Sequence, residues 1–133
     1  MVAAPVRQDT DIEEAFAALQ LSPDAGVIVD PNVFNRVHRQ EIIALAAQHR
    51  LPAIYSARFY TNDGGLISYG IGPIEQFRQA ASYVDRILRG EKPADLVVQA
   101  PTKFELVLNL KTAKALGLDI SHDMLTIADE VIE

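Results

Sequence analysis

Polar side chains that could hold a small molecule follow three predicted strands. The loops concerned span Asp30 to Phe34, Ser56 to Phe59 and Tyr69 to Gly72. In an open parallel sheet, ligands bind beyond the carboxyl ends of the strands. The candidate ligand-binding residues in these loops are Asp30, Asn32, Phe34, Ser56, Arg58, Tyr69 and Gly70. The alternative is that the Asp, Asn and Pro residues of these loops only form turns and cap the next helices.

The other reactive residue types form no pattern typical of catalysis or metal binding. His38, His49 and His122 are too far apart in sequence for a local metal motif. Asp129 and Glu130 are adjacent acids that we expect at a solvent-exposed chain end. The two glycines of the third loop are not followed by a lysine, and no serine lies in a nucleophile-elbow pattern. We therefore predict a protein that is not an enzyme, with no catalytic residue, no metal and no cofactor.

Composition sets limits on the class of protein. The 133 residues are 49% hydrophobic and 23% charged, which is typical of a single soluble domain. The net charge is −6, and the 12 basic residues form no cluster, so nucleic acid is a poor partner. Cysteine is absent, which excludes disulfides, thiolate chemistry and cysteine-bound zinc.

Short apolar runs alternate with helical patterns along the chain. The predicted strands are Val2 to Val6, Gly26 to Val29, Ala53 to Tyr55, Leu66 to Tyr69 and Phe104 to Leu108. A first helix begins at the possible capping pair Thr10 and Glu13. The later helices are Asn35 to His49, Pro73 to Arg89, Lys111 to Leu116 and Asp123 to Ala128. This alternation predicts an α/β fold, with a mostly parallel sheet and helices on both faces.

Several stretches of the second half resemble the uncharacterised ABC transporter substrate-binding family, whose best-known branch takes up aromatic amino acids. The resemblance is carried by Leu66 to Gly70, Tyr83 to Leu96, Pro101 to Gly117 and Ala128 to Glu133. It implies a periplasmic-binding-protein type I-like (flavodoxin-like) lobe that is incomplete. It also implies binding of a small solute such as an amino acid, an ABC permease as partner, and a periplasmic or extracytoplasmic location.

The resemblance also predicts how the chain is organised. Members of this family have two lobes, and the chain matches roughly the last two-fifths of them. Residues 1–133 would be one α/β domain that resembles the second lobe, and residues 73–133 would cross the hinge. The helix from Pro73 to Arg89 would then have packed on a first lobe. Without that lobe, the apolar face of the helix, chiefly Phe77, Ala81, Val84 and Leu88, would be exposed, so we expect a homodimer or higher oligomer.

Three questions stay open at the level of sequence. The aromatic amino-acid branch has polar residues, including an acid, in loops where this chain has Val33, Phe34, Ala57 and Arg58; Arg58 would favour a carboxylate or another anion. No signal peptide precedes Pro5, so we expect a cytoplasmic location if the gene is truly this short. The alternative function is a cytosolic flavodoxin-like regulatory or assembly domain with a vestigial pocket.

Overall fold

The computed structural model describes residues 3–22 and 24–133. Its helices are α1 (Asp9–Gln20), α2 (Val33–Val37), α3 (Arg39–Gln48), α4 (Arg58–Asn62), α5 (Pro73–Leu88), α6 (Leu110–Leu116) and α7 (His122–Ile127). Its strands are β1 (Val27–Val29), β2 (Ala53–Tyr55), β3 (Ile67–Ile71), β4 (Phe104–Asn109) and β5 (Glu130–Ile132). A single 3₁₀ turn at Pro93–Asp95 links α5 to β4.

The five strands form one sheet in the order β1-β2-β3-β4-β5. Three of the four pairings are parallel, and β4 runs antiparallel to β3. The α/β class and the mostly parallel sheet predicted from the sequence are therefore confirmed. Strands β4 and β5 run opposite to the first three strands, so the carboxyl ends of β1, β2 and β3 form one edge.

The core lies on one face of this sheet, beneath helices from the first half of the chain. Ile12 and Phe16 of α1 are 2% and 5% exposed and pack with the buried side of α3. Tyr55 of β2 and Tyr60 of α4 are both 2% exposed, and their rings stack with centroids 4.9 Å apart. Burial raises the pKa of both phenols because it disfavours the charged form.

The amino-terminal end of the chain differs from the prediction. Residues 3–7 form neither helix nor strand, so the predicted strand at Val2 to Val6 is wrong over residues 3–6, while Val2 lies outside the described residues. The capping pair of α1 also lies further upstream. Asp11 Oδ2 accepts hydrogen bonds from the backbone N–H groups of Arg7 at 2.8 Å and Gln8 at 3.2 Å. Asp11 thus satisfies free backbone N–H groups at the start of α1. This is the capping role that the sequence had assigned to Thr10 and Glu13.

The helix predicted from Asn35 to His49 is two helices that meet at His38. His38 caps both of them and has non-helical backbone angles, with φ −89° and ψ 16°. The centroids of the His38 and Phe34 rings lie 4.2 Å apart. The His38 Nε2 atom lies 3.5 Å from an Asp9 carboxylate oxygen, and its Nδ1 atom lies 3.4 Å from a Glu41 carboxylate oxygen. We had expected His38 at a solvated position within one helix; instead it is half-buried and joins α1 to the α2–α3 corner.

Candidate functional site

The three loops selected from the sequence meet at the carboxyl edge of β1, β2 and β3. The parallel register aligns the last residues of β1 and β2 with Ser68 of β3. Asp30, Ser56 and Tyr69 come next along their strands, so they form one row immediately beyond the last aligned residues. Asp30 is exposed and Tyr69 is 53% exposed. A carboxylate, a hydroxyl and a phenol ring are thus brought together at one open edge.

Gly70 allows two of these loops to approach closely. A Cβ placed on Gly70 would lie 1.8 Å from the backbone oxygen of Ser56. No side chain fits at that distance, so the β2 and β3 loops can lie against each other only if residue 70 is glycine. Gly70 therefore positions the Ser56 and Tyr69 loops relative to each other, whereas the sequence had indicated only that it lies near the ligand.

Asn32 and Phe34 make contacts within the chain itself. For Asn32 this agrees with the alternative that the loop residues form turns and cap helices. The Asn32 side-chain oxygen accepts a hydrogen bond from the Asn35 backbone N–H at 2.8 Å and so caps α2. Asn35 in turn donates its amide to the Asp30 carbonyl oxygen at 2.9 Å, which fixes the loop after β1. Phe34 lies within α2, is half-buried and packs against the core. Direct contact of Asn32 and Phe34 with a ligand stays a prediction.

Arg58 is neutralised by two acids of the same chain. One guanidinium nitrogen is hydrogen-bonded to the Glu130 carboxylate, and another lies 3.9 Å from an oxygen of Glu105. The Arg58 side chain is 36% exposed. An arginine that already pairs with carboxylates is a weaker receptor for an external anion, because the anion must compete with them. The predicted preference for an anion at Arg58 therefore loses its main support.

The sequence did not indicate that Glu105 and Glu130 lie beside Arg58. Asp129 and Glu130 were expected at a solvent-exposed end; Asp129 is exposed, whereas Glu130 is half-buried with its side chain 41% exposed. Glu130 begins β5, and Asp129 Oδ2 accepts a hydrogen bond from the Leu106 backbone N–H at 2.8 Å. The short run of apolar residues that follows Glu130 was the available signal for this strand.

An aromatic pair lies beside the row of loop residues. The rings of Tyr69 and Phe104 stack with centroids 5.5 Å apart and planes at 19°. Phe104 is 44% exposed, so both rings present surface to solvent at this edge. Such a pair can pack against an apolar or aromatic group of a ligand while the phenol hydroxyl stays available for hydrogen bonding.

Two cavities of the described structure lie away from this edge. One is lined by Ile43, Ala46, Tyr55, Gly64 and Leu116, between helices and the buried face of the sheet. Another depression is lined by residues 24–25 and 49–52, next to the amino ends of the strands. Neither of these two cavities is lined by Asp30, Ser56 or Tyr69.

The histidines do not gather. His49 stacks on Phe16 with ring centroids 6.3 Å apart, while His122 is the exposed first residue of α7. Within residues 3–22 and 24–133, no group of three or more His, Asp or Glu side chains could hold a metal ion.

A family model described as "ABC transporter substrate binding protein" matches residues 1–132. The chain belongs to this family. Members bind small-molecule solutes, act with ABC permeases and work outside the cytoplasm, so the family is one of binding proteins and not of catalysts. No match was found among the curated proteins.

Solved structures agree with the family. A conserved domain protein from Vibrio cholerae O1 biovar El Tor is 28% identical, with a TM-score of 0.78 over 92% of this chain and 41% of that one. An ABC domain in complex with L-Trp from Streptococcus pneumonia is 24% identical, with a TM-score of 0.83 over 96% of this chain and 43% of that one. Both show the periplasmic-binding-protein-like fold.

A third structure shows the same fold at lower identity. The ligand-free, open structure of a substrate-binding protein with adhesive properties from Clostridium difficile is 18% identical, with a TM-score of 0.68 over 96% of this chain and 42% of that one. The chain thus spans about two-fifths of the length of the structures it matches. Among the helices described, none is long and apolar enough to cross a membrane.

Proposed function

We propose that this chain binds a small solute such as an amino acid at the carboxyl edge of β1, β2 and β3, as part of the solute-binding component of an ABC-type importer. The observation that carries the proposal is the row formed by Asp30, Ser56 and Tyr69 at one open edge of the sheet. Family membership supports solute binding in general, and the row supplies a specific place for it.

The chemistry of the edge favours an amphipathic solute. The exposed rings of Tyr69 and Phe104 offer apolar surface, and Asp30 offers a carboxylate that can accept from an ammonium group. Arg58 contributes little net positive charge because Glu130 and Glu105 flank it. One structural neighbour is a complex with L-Trp, which makes L-Trp and other amino acids the first solutes to test.

The open edge also supports a two-part site. The matched structures are more than twice as long as this chain, and one of them is described as open and ligand-free. We propose that the solute is held between this domain and a second one that closes over it by hinge motion. Residues 73–133 would contain the hinge crossing. In this arrangement the protein acts outside the cytoplasm, delivers its solute to an ABC permease and catalyses no reaction.

Chemical-shift perturbation tests the proposal on this chain directly. A single half-site should bind weakly, so L-Trp, L-Glu and L-Lys are added at roughly millimolar concentrations, where half-sites of low affinity still respond. We expect the largest amide shifts at Asp30, Asn32, Ser56, Tyr69 and Gly70. Y69A should abolish them, while E14Q, an exposed change in α1, should not. Shifts confined to residues 24–25 and 49–52, or none with any of these ligands, would contradict the site.

A further inference from the structure

Gly72 is the single residue between β3 and α5, and it lies against the carboxylate of Glu105. β3 ends at Ile71 and α5 begins at Pro73. A Cβ placed on Gly72 would lie 2.8 Å from the Glu105 carboxyl carbon and closer still to Oε1. The backbone angles of Gly72, φ −63° and ψ 120°, are open to any residue. Residue 72 can therefore carry a side chain only if the Glu105 carboxylate moves.

The same carboxylate faces Arg58, which is the first residue of α4 and lies two residues after Ser56. Glu105 Oε2 lies 3.9 Å from Arg58 Nη1, and the Glu105 side chain is 23% exposed. Glu130 is hydrogen-bonded to Arg58 Nη2 and so holds the guanidinium group beside β4 and β5. Glu105 thus contacts the start of α5 on one side and a cation of the β2 loop on the other.

Few contacts within the chain fix the direction of α5. None of its residues is buried in the described chain, so a packed helix face does not set its direction. The Tyr83 hydroxyl donates to the Val97 carbonyl oxygen at 2.5 Å, which joins the helix to the segment that follows it and not to the sheet. The contact of Gly72 with Glu105 therefore matters for the angle at which the helix leaves β3.

We infer that Glu105 is a positioning residue that couples the start of α5 to the β2 loop of the proposed site. A movement of Arg58 moves the Glu105 carboxylate, and that carboxylate fills the space beside Gly72, so the joint between β3 and α5 moves with it. In reverse, a rotation of α5 about Gly72 displaces Glu105 from Arg58. Gly70 lies two residues before this joint and packs on the Ser56 backbone, so both close contacts tie the end of β3 to its neighbours.

The coupling follows from contacts within one chain and can be tested without a solute. Its use in the closure of two domains rests on the proposed function. The two can therefore fail separately: a chain that binds no solute can still show the coupling, and a chain that binds one can lack it.

A double-mutant cycle read at the Arg58 side chain tests the coupling. In G72A the new methyl group must push the Glu105 carboxylate aside, because the two groups cannot occupy the same space. G72A should therefore shift the Arg58 Nε–H signal in ¹H–¹⁵N NMR spectra, although this substitution changes no charge. In the E105A background the carboxylate is gone, so adding G72A should leave the Arg58 signal where E105A alone puts it.

E75Q is the matched control, because it neutralises an acid in the first turn of α5 that pairs with Arg78 and not with Arg58. It should leave the Arg58 signal unchanged, and circular dichroism checks that each variant is folded. If G72A does not fold, E105A alone decides: it should shift both the Arg58 Nε–H signal and the Gly72 amide signal, and a shift of only one contradicts a shared contact. Where G72A folds, the inference is overturned if G72A does not shift the Arg58 signal, or shifts it equally with and without Glu105.

Discussion

At the scale of single residues, Arg58 shows how neighbours change what a side chain can do. In the sequence it is an arginine that follows a strand, which indicates an anion site. In the structure, Glu130 and Glu105 come from strands far along the chain and balance its charge. The local positive potential that would attract an anion is therefore small.

Replacing Glu130 by glutamine tests whether this acid neutralises the charge of Arg58. Arg58 and Glu130 are 36% and 41% exposed, so solvent screens the pair and E130Q should lower the free energy of unfolding by about 0.2–1 kcal/mol. The same change frees part of the Arg58 charge, so acetate or L-Glu should bind the edge more tightly in E130Q than in the wild type. Titration followed by NMR measures both constants, and E133Q serves as control. Equal affinities would show that Arg58 does not face the site.

Gly70 gives the second prediction at this scale. Because a Cβ would lie 1.8 Å from the Ser56 backbone oxygen, G70A must push the two loops apart and should destabilise the protein by about 1–3 kcal/mol in urea unfolding. G26A is the control, since its Cβ would meet the Pro52 carbonyl oxygen at 3.3 Å and needs only a small shift. If G70A and G26A unfold at the same urea concentration, the close approach does not hold the loops.

At the scale of elements, the amino end of α1 depends on one carboxylate. Asp11 accepts from the Arg7 and Gln8 backbone N–H groups, and these hydrogen bonds, chiefly that from Arg7, hold the pKa of Asp11 below its usual 3.8. A lowered folded-state pKa means that the stabilisation is complete above pH 3.8 and is lost as the pH falls through the folded value.

The D11N variant tests this linkage. Its Tm should lie below that of the wild type near neutral pH, and the difference should shrink as the pH falls below about 3.8, because protonated Asp11 resembles Asn. E14Q, another exposed change in α1, should show no such convergence. A Tm difference that does not depend on pH would mean that the charge of Asp11 does not hold the helix end.

Sequence patterns predicted the elements that carry a strong local signal. The amphipathic period of α5, with proline at its first position, and the short apolar strands β1 and β2 were predicted close to their actual bounds. The elements that were missed depend on distant partners. β5 is three residues long and exists because it pairs with β4, and the break at His38 lies inside a run of good helical spacing. Local pattern carries no information about the break at His38, and the two apolar residues after Glu130 are too short a run to predict β5 by themselves.

The candidate site likewise has features that could be predicted from local sequence and features that could not. The meeting of Asp30, Ser56 and Tyr69 at one edge could be predicted, because in a parallel sheet the strand order of the chain alone brings those loops together. The pairing of Arg58 with Glu105 and Glu130 could not, because it requires an antiparallel β4 and a final strand β5. The strand order of the second half therefore places Glu105 and Glu130 beside Arg58, and so lowers the positive charge at a candidate site formed by the first half.

At the scale of the whole molecule, the buried apolar side chains are unevenly distributed between the two faces of the sheet. The face under α1, α3 and α4 contains the core, whereas Ile28 and Tyr69 on the other face and Phe77 and Leu88 of α5 are exposed. The stability of a single chain should then depend mainly on that core, and any contribution from the exposed apolar side chains should depend on protein concentration.

Two phenylalanines separate these contributions. Phe16 is 5% exposed and packs in the core, so F16A should cost about 3–5 kcal/mol at every protein concentration. Phe77 is 76% exposed in the single chain, so F77A should change the unfolding free energy by less than about 0.5 kcal/mol at low concentration. At high concentration the wild-type midpoint should rise because association adds stability to the folded state, and F77A should reduce that rise. Urea unfolding at several protein concentrations measures all three effects. A wild-type midpoint independent of concentration would mean that Phe77 contributes nothing to the stability of this chain through association.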